Sequence, residues 1–426
     1  MMASMRPRIP SSAWYLAVPA ITFVVTVVSA ANRSTPSMFI QPLEFEFGWS
    51  AATIAFAIAV GIALFGLMGP FAASFMNKYG ARRVVAIALA ILAVSSFASI
   101  FMTAAWQLVL LWGFLSGIGT GAIGLALGAT IANRWFERRR GLVMGVFSAG
   151  NATGQLIFLP LFAHIIKFDG WRPCAAIVGG LCLLLIPLFM AIVRERPVDV
   201  GLPPFGARTV VPAPPPLANP FASAIANLRS GLRSRDFWIL GGTFAICGAS
   251  TNGLVQTSLI PLCGDHGIPL TTAANLLAAM GLFDLIGTTA SGWLTDRFDS
   301  RLLLLMYYGL RGLSLLALPL VFGAQVFGLP AFAVFYGLDW IATVPPTLKL
   351  ANAAFGVDRG AVMFAWILAA HQIGASLAAY GAGLSRTYLG AYDPAFAVAG
   401  GLCLCAAVLS LFVARGRTPA RAVAVA

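Results

Sequence analysis

Charge is what this sequence has least of. Of its 426 residues only 10% are Asp, Glu, Lys or Arg, with 14 acids, 27 bases and three histidines; a soluble domain carries about a quarter charged. With 59% hydrophobic residues, too few polar groups remain to keep a soluble globular fold in water. Six cysteines (Cys174, Cys182, Cys247, Cys263, Cys403 and Cys405) lie within or beside apolar runs and lack CxxC spacing, so they read as small buried hydrophobes rather than metal ligands. There is no Walker A sequence, which excludes ATP hydrolysis by this chain, and GTGAIG (Gly119 to Gly124) follows no strand, so it is not a dinucleotide fingerprint. Its glycines suit close helix packing instead. An intramembrane enzyme would need a convergent nucleophile or metal set, and a sensor a sizeable soluble domain; the sequence carries neither. No cofactor is expected.

What is present is a succession of apolar stretches of about twenty residues, each long enough to cross a hydrocarbon core of about 30 Å as a helix. Cutting at charges, prolines and glycines predicts twelve spans, roughly at 13–41, 50–76, 83–104, 107–134, 141–166, 172–193, 236–261, 271–295, 302–322, 329–354, 360–385 and 393–414. The expected class is an all-α membrane protein with two six-helix halves, 1–193 and 236–426, joined by a linker, 194–235, that contains PAPPPLANP and is too polar for lipid. The basic, then apolar, N-terminus resembles a signal peptide, but its apolar run continues too far and no small-residue cleavage site ends it. It reads as a retained first span.

The net charge of +13 does not indicate nucleic acid, because the bases sit in short connections where they orient membrane helices. Arg6 and Arg8, then Lys78, Arg82 and Arg83, then Arg134 and Arg138 to Arg140, then the linker arginines, Arg297 and Arg301, Arg359, and finally Arg415, Arg417 and Arg421 occupy every second connection. Both termini and the linker are therefore expected in the cytoplasm, which an even number of spans satisfies. The halves also echo one another: NKYGARR (Asn77 to Arg83) follows the second span and DRFDSR (Asp296 to Arg301) the eighth. Two related halves around a midplane site are a transporter architecture.

At these loops the chain resembles the major facilitator superfamily, whose pattern there is D-R-x-G-R-[RK]. Asp296, Arg297, Phe298 and Arg301 fit one copy; Gly80, Arg82 and Arg83 fit the other, where Asn77 replaces the acid and Lys78 the first base. GPFAASFMNKYGARRV, FIQPLEFEFGWS, RWFERRRGLVMGVFSAGN, GLFDLIGTTASGWLTD and GAYDPAFAVAGGLCL are similar to the monocarboxylate porter and oxalate-formate branch. The loops also have a physical sense of their own. A carboxylate or amide at one helix end can bind arginines or a neighbouring helix N-terminus, so Asn77, Arg82, Arg83, Asp296, Arg297 and Arg301 are candidate cytoplasmic gate residues, Asp296 foremost.

An ionisable group inside a span costs at least roughly 2.5–3.5 kcal/mol on insertion scales. Asp284 lies about twelve residues, or roughly 18 Å, from the cytoplasmic end of span 8. Arg311, Asp339 and His371 sit at similar depth in spans 9, 10 and 11, and Arg33 toward the outer part of span 1. In one arrangement Arg33 or Arg311 forks onto a substrate carboxylate while Asp284, Asp339 or His371 carries a proton. In the other, Arg311 pairs permanently with Asp284 or Asp339 and holds helices together. The resemblance implies the coupling role for Asp284, with Arg311 as its partner base. It also implies a base in span 11, where His371 is the ionisable residue at mid-depth. Two anion-holding positions of the family are neutral here, Thr288 and Ser37, with Arg33 and Arg311 as replacements nearby. Asn151, Gln155, Asn252, Gln256, Tyr308, Trp340, Trp366 and Gln372 are further cavity candidates, each of which could instead bond a neighbouring helix. Pro345 and Pro346 should break span 10.

The implied function is secondary active transport of a small organic anion, a mono- or dicarboxylate, by alternating access with a proton, in a plasma membrane (the inner membrane of a bacterium). A functional monomer in the lipid bilayer is expected. The alternatives are an exporter of neutral or cationic small molecules and a carboxylate exchanger.

Overall fold

The computed structural model describes residues 13–207, 220–323 and 328–414. Most of PAPPPLANP and the arginines at 6, 8, 415, 417 and 421 lie outside the described residues. Within them the chain is almost wholly helical. The spans are 1, Trp14–Ser34 continued by Pro36–Phe47; 2, Ala51–Tyr79; 3, Ala81–Ser99; 4, Ala105–Trp135; 5, Arg140–Asp169; 6, Arg172–Ile192. The second half holds 7, Arg235–Gly248, Ala249–Val255 and Gln256–Asp265; 8, Leu270–Arg297; 9, Ser300–Leu316 with Leu318–Gly323; 10, Gly328–Asp339 and Val344–Phe355; 11, Val357–Leu389; 12, Asp393–Ser410.

Among the described residues nine helices are continuous and apolar enough to cross a membrane. Spans 7, 9 and 10 are outside that group: 9 and 10 are each interrupted, and 7 has a polar π-helical stretch, ASTNGLV, at its centre. Local chemistry sets the boundaries. Ser50 accepts the Thr53 N–H at 3.2 Å to start span 2, Gly80 ends it with a φ of 88° that a residue with a Cβ would resist, and Asp299 caps span 9 by accepting the Arg301 N–H at 3.0 Å.

The packing repeats between the halves. Span 1 lies on 5, 2 on 4 and 3 on 6; correspondingly 7 lies on 11, 8 on 10 and 9 on 12. The halves meet through spans 2 and 11 and through spans 5 and 8, which are equivalent under the same relation. Glycines bring these helices to backbone distance. A Cβ at Gly121 of the GTGAIG stretch would stand 2.8 Å from the Phe65 carbonyl oxygen and one at Gly119 2.8 Å from the Leu92 side chain, so that stretch packs span 4 on spans 2 and 3.

The linker is attached at both described ends. Its first part bonds to the N-terminal half, with the Phe205 N–H donating to the Trp135 carbonyl at 2.8 Å and the Tyr15 hydroxyl to the Pro203 carbonyl at 2.6 Å. Its helix Pro220–Gly231 bridges the halves: Phe221 lies 5.2 Å from the Phe71 ring of span 2, and Trp366 of span 11 donates to the Ala224 carbonyl at 3.1 Å.

Candidate functional site

Between the halves lies a cavity lined by spans 1, 2 and 4 on one side and 7 and 11 on the other. Pro36 has no N–H to give the Asn32 carbonyl, and the hydroxyls of Ser34, Thr35 and Ser37 all turn back onto backbone carbonyls of this region. Next to this interruption Arg33 enters the cavity, its guanidinium over the Phe65 ring at 4.9 Å, a cation–π contact. Arg33 is the single charged residue lining the cavity, and it makes no ion pair and no hydrogen bond to any described residue. Asn252, Gln256 and Gln372 face it from the other half. Both π-helical stretches touch this space, Val109–Leu115 through Trp112 and Ala249–Val255 through Asn252; π-bulges often accompany function because they turn side chains out of register. Asn32 is otherwise occupied. It donates to Ser96 at 3.1 Å and accepts from Ser116, tying spans 1, 3 and 4.

The charges of the second half form a separate network around a break in span 10. Pro345 and Pro346 cannot donate to the carbonyls four residues earlier, and the chain between Asp339 and Val344 is a turn rather than a helix. Non-helical backbone at membrane depth is tolerated only when protein satisfies it. Here side chains do so. Arg311 donates to the Asp339 and Trp340 carbonyls at 2.5 and 3.1 Å, Ser291 to the Ala342 carbonyl at 2.5 Å, and Asp284 accepts the Ile341 N–H at 3.0 Å.

This arrangement decides among the expected partners. Arg311 pairs with Asp339, Nε to Oδ2 at 2.6 Å, with the arginine side chain 0% exposed, and its remaining fork reaches the Cys247 sulfur at 2.8 Å. The expectation that Asp284 answers to Arg311 is corrected: the Asp284 carboxylate takes the Thr288 hydroxyl at 2.9 Å instead, so the neutral residue one turn on is itself the donor. Arg311 also lines no part of the cavity, because its guanidinium is used in span 10. Of the other candidates, Asn151, Gln155, Tyr308 and His371 are likewise absent from the cavity lining. Tyr308 is wholly buried, and His371 packs its ring 4.7 Å from Phe244, its Nδ1 without a partner among the described residues.

At the basic loops each copy closes within its own half. Asn77 accepts from Arg134 at 2.9 Å, and Arg134 pairs with Glu195 at 2.6 Å. That glutamate, which the loop pattern does not contain, also accepts the Ala81 and Arg82 N–H groups at 2.9 and 3.0 Å. It supplies the acid that Asn77 lacks, placed at the N-terminus of span 3 where a negative charge is favoured. Arg82 reaches the Met190 carbonyl. In the second copy Arg301 pairs with Asp299 at 2.6 Å and Arg297 lies over Trp293 at 3.9 Å, whereas Asp296, the foremost gate residue by pattern, is exposed and forms no ion pair with any described residue.

A helical chain with two equivalent six-span halves and a cavity between them has the architecture of a multi-pass membrane protein. It belongs to the Major Facilitator Superfamily, whose family model matches residues 22–379. Monocarboxylate transporter 13 of Bos taurus is 27% identical over 405 residues, covering 94% of this chain and 89% of the relative. Monocarboxylate transporter 11 of Homo sapiens is 26% identical, covering 93% and 82%, and the MFS-type transporter YcxA of Bacillus subtilis 23% identical, covering 88% of each. Among solved structures, a D-xylose-proton symporter superposes with a TM-score of 0.72 at 15% identity, over 95% of this chain and 98% of that one. The chain is thus a secondary transporter of a small molecule, not an enzyme.

Proposed function

We propose that the cargo is a small organic anion, with one carboxylate as the preferred charge, moved by alternating access with a proton. The observation that carries this reading is Arg33: a cation in the cavity between the halves that meets no carboxylate among the described residues. An uncompensated charge at this depth is costly, and a bound anion relieves it with a charge-assisted bond. A single cation suits a monoanion better than a dianion. The names of the monocarboxylate transporters among the relatives support the same class. An exporter of cations would instead need an acid on the cavity wall, whereas Asp284 and Asp339 are both engaged at span 10.

For the proton, Asp284 is the proposed carrier, because its carboxylate accepts the Ile341 N–H in the non-helical turn of span 10, so that a change in its charge acts directly on the interrupted span. The halves 1–193 and 236–426 rock about the cavity with 194–235 as their tether, and the Asn77, Arg82, Arg83, Asp296, Arg297 and Arg301 loops act as the cytoplasmic gate. A monomer in the plasma membrane suffices for this cycle. The test is uptake of labelled monocarboxylates into proteoliposomes. Arg33→Ala should abolish it while the protein still inserts and elutes normally, and Arg33→Lys should retain part of it. Undiminished uptake by Arg33→Ala overturns the anion reading.

A further inference from the structure

We infer that the linker helix Pro220–Gly231 is seated in the cytoplasmic leaflet, its apolar edge among the acyl chains and Arg229, Arg233 and Arg235 on the headgroups of anionic lipid. This is independent of what the protein carries.

The helix lies alongside the ends of the spans, not beyond them. The Phe221 ring is 5.2 Å from the Phe71 ring and 5.0 Å from that of Phe75, and Phe71 stands eight residues, roughly 12 Å, inside the Tyr79 end of span 2. In the other half the Ala224 carbonyl accepts from Trp366, nine residues, roughly 13 Å, inside the Val357 start of span 11. A Cβ at Gly231 would stand 3.2 Å from the Met363 sulfur of the same span. Both contacts put the helix beside the last two turns of spans 2 and 11.

Its sides differ in chemistry. Ala224 is buried and Leu228 packs with it in the cluster that contains Phe237, Met363 and Trp366, whereas Phe221 and Ile225 are each 50% exposed. Residues four apart drift by about 40° around a helix, so the row Phe221, Ile225, Arg229 turns from apolar to basic. Leu232 and Trp238, also exposed, carry the apolar edge on to the start of span 7. Between residues 220 and 238 stand three arginines and one acid. Arg229, Arg233 and Arg235 are exposed and form no ion pair with any described residue, and the acid, Asp236, accepts the Ala414 N–H at 3.0 Å.

An apolar edge bordered by arginines is the chemistry of a helix lying in a membrane interface, where the edge enters the acyl region and the bases reach up to headgroup charge. Water alone would leave Phe221, Ile225 and Leu232 solvated; an anionic leaflet satisfies both sides at once. Because the helix touches spans 2 and 11, lipid held there lies at the junction of the two halves.

Two measurements on the full chain test the two sides. For the apolar edge, nitroxides are placed at Ile225→Cys and, on the basic side, at Ala226→Cys, each in a Cys405→Ser background that removes the exposed native thiol. In vesicles of equal parts phosphatidylcholine and phosphatidylglycerol, the label at 225 should collide more with oxygen than with a water-soluble nickel chelate, and the label at 226 the reverse. Equal access of the chelate to both overturns the inference and places the helix against water at the cytoplasmic mouth. For the bases, protein in neutral detergent is titrated with phosphatidylglycerol or phosphatidylcholine while its unfolding temperature is followed, since a bound lipid raises it. Phosphatidylglycerol should act at the lower concentration. One arginine near an anionic surface accounts for roughly fivefold in affinity, so the combined Arg229→Gln and Arg233→Gln variant should need roughly twentyfold more phosphatidylglycerol for half the effect. An unchanged midpoint in that variant, or phosphatidylcholine acting as well as phosphatidylglycerol on the wild-type protein, overturns the assignment of these arginines to anionic lipid.

Discussion

Removing one partner of the Arg311–Asp339 pair should destabilise the second half severely, and removing both should restore much of what is lost. The arginine side chain is 0% exposed and the aspartate 8%, so neither charge can reach water when its partner is gone. Loss of one member of such a buried pair costs about 3–5 kcal/mol, whereas replacing both by apolar groups of similar volume is often close to neutral. The upper end applies to Asp339→Leu, which strands the guanidinium with the Asp339 and Trp340 carbonyls and the Cys247 sulfur as acceptors. Asp339→Asn keeps an acceptor oxygen for Nε and falls at the lower end. At roughly 2–4 °C per kcal/mol for a domain of about 200 residues, the transition of the second half moves down by roughly 6–20 °C. Thermal unfolding in detergent, followed by tryptophan fluorescence, measures this, with Arg311→Met, Asp339→Leu and their combination completing a cycle. The combination should unfold well above either single variant. Were Asp339→Leu to unfold at the wild-type temperature, or the combination to be worse than both singles added, the pair would not be what holds the broken span. A stable Arg311→Met that had lost all transport would return Arg311 to the substrate.

Three further outcomes follow from the same geometry. Gly287→Ala places a Cβ 1.8 Å from the Leu338 carbonyl oxygen, where span 8 crosses span 10 and only backbone could yield; it should destabilise by at least the roughly 1–3 kcal/mol of an overpacked core, and a wild-type melting temperature would refute the close crossing. Glu195→Gln removes the charge that holds Arg134 and the start of span 3; with the glutamate side chain 31% exposed, the loss should lie toward the low end of the roughly 1.5–3 kcal/mol of bonds to charged groups, seen as a lower unfolding temperature that Glu195→Asp partly recovers. Asp284→Asn keeps an oxygen for Thr288 and for the Ile341 N–H, so folding and exchange of labelled carboxylate should persist while accumulation driven by an imposed pH gradient disappears; accumulation that survives the substitution would remove Asp284 from proton coupling.

The twelve spans were legible because a bilayer sets a length and a polarity that a run of residues either meets or does not. The interruption of span 10 was legible for the same local reason, Pro345 and Pro346 lacking the donors a helix needs. What depth along the chain cannot supply is rotation about each helix axis. Asp284, Arg311 and Asp339 sit at one level on three spans, and only the packed bundle turns Arg311 toward Asp339 and leaves Asp284 to Thr288 and a backbone amide. Glu195 escaped notice because its partners Ala81 and Arg82 are more than a hundred residues earlier; the one local trace was an acid placed immediately after span 6. Asn77, which replaces the acid of the loop pattern, shows the consequence: the charge is supplied instead from the start of the linker, by Glu195.

The polar residues divide by whether the protein itself uses them. In the second half almost every buried charge is occupied in repairing the gap that two prolines open in span 10, and that occupation explains why a chain so poor in charge keeps three of them there. Arg33 in the first half, with Asn252, Gln256 and Gln372 opposite, has no such internal use. On the proposed reading the substrate anion therefore binds chiefly to one half while the proton is taken up by the other, at a carboxylate whose backbone bond holds the turn. Coupling must then pass through elements that touch both places, and span 7 does so: it lines the cavity through Asn252 in its polar turn and Gln256 directly after it, while Cys247, just before the turn, accepts from Arg311 and contacts Thr343 on the broken span. A shift of that turn toward a bound ligand would pull on the Arg311 fork, and through it on the carbonyls beside the amide that Asp284 holds.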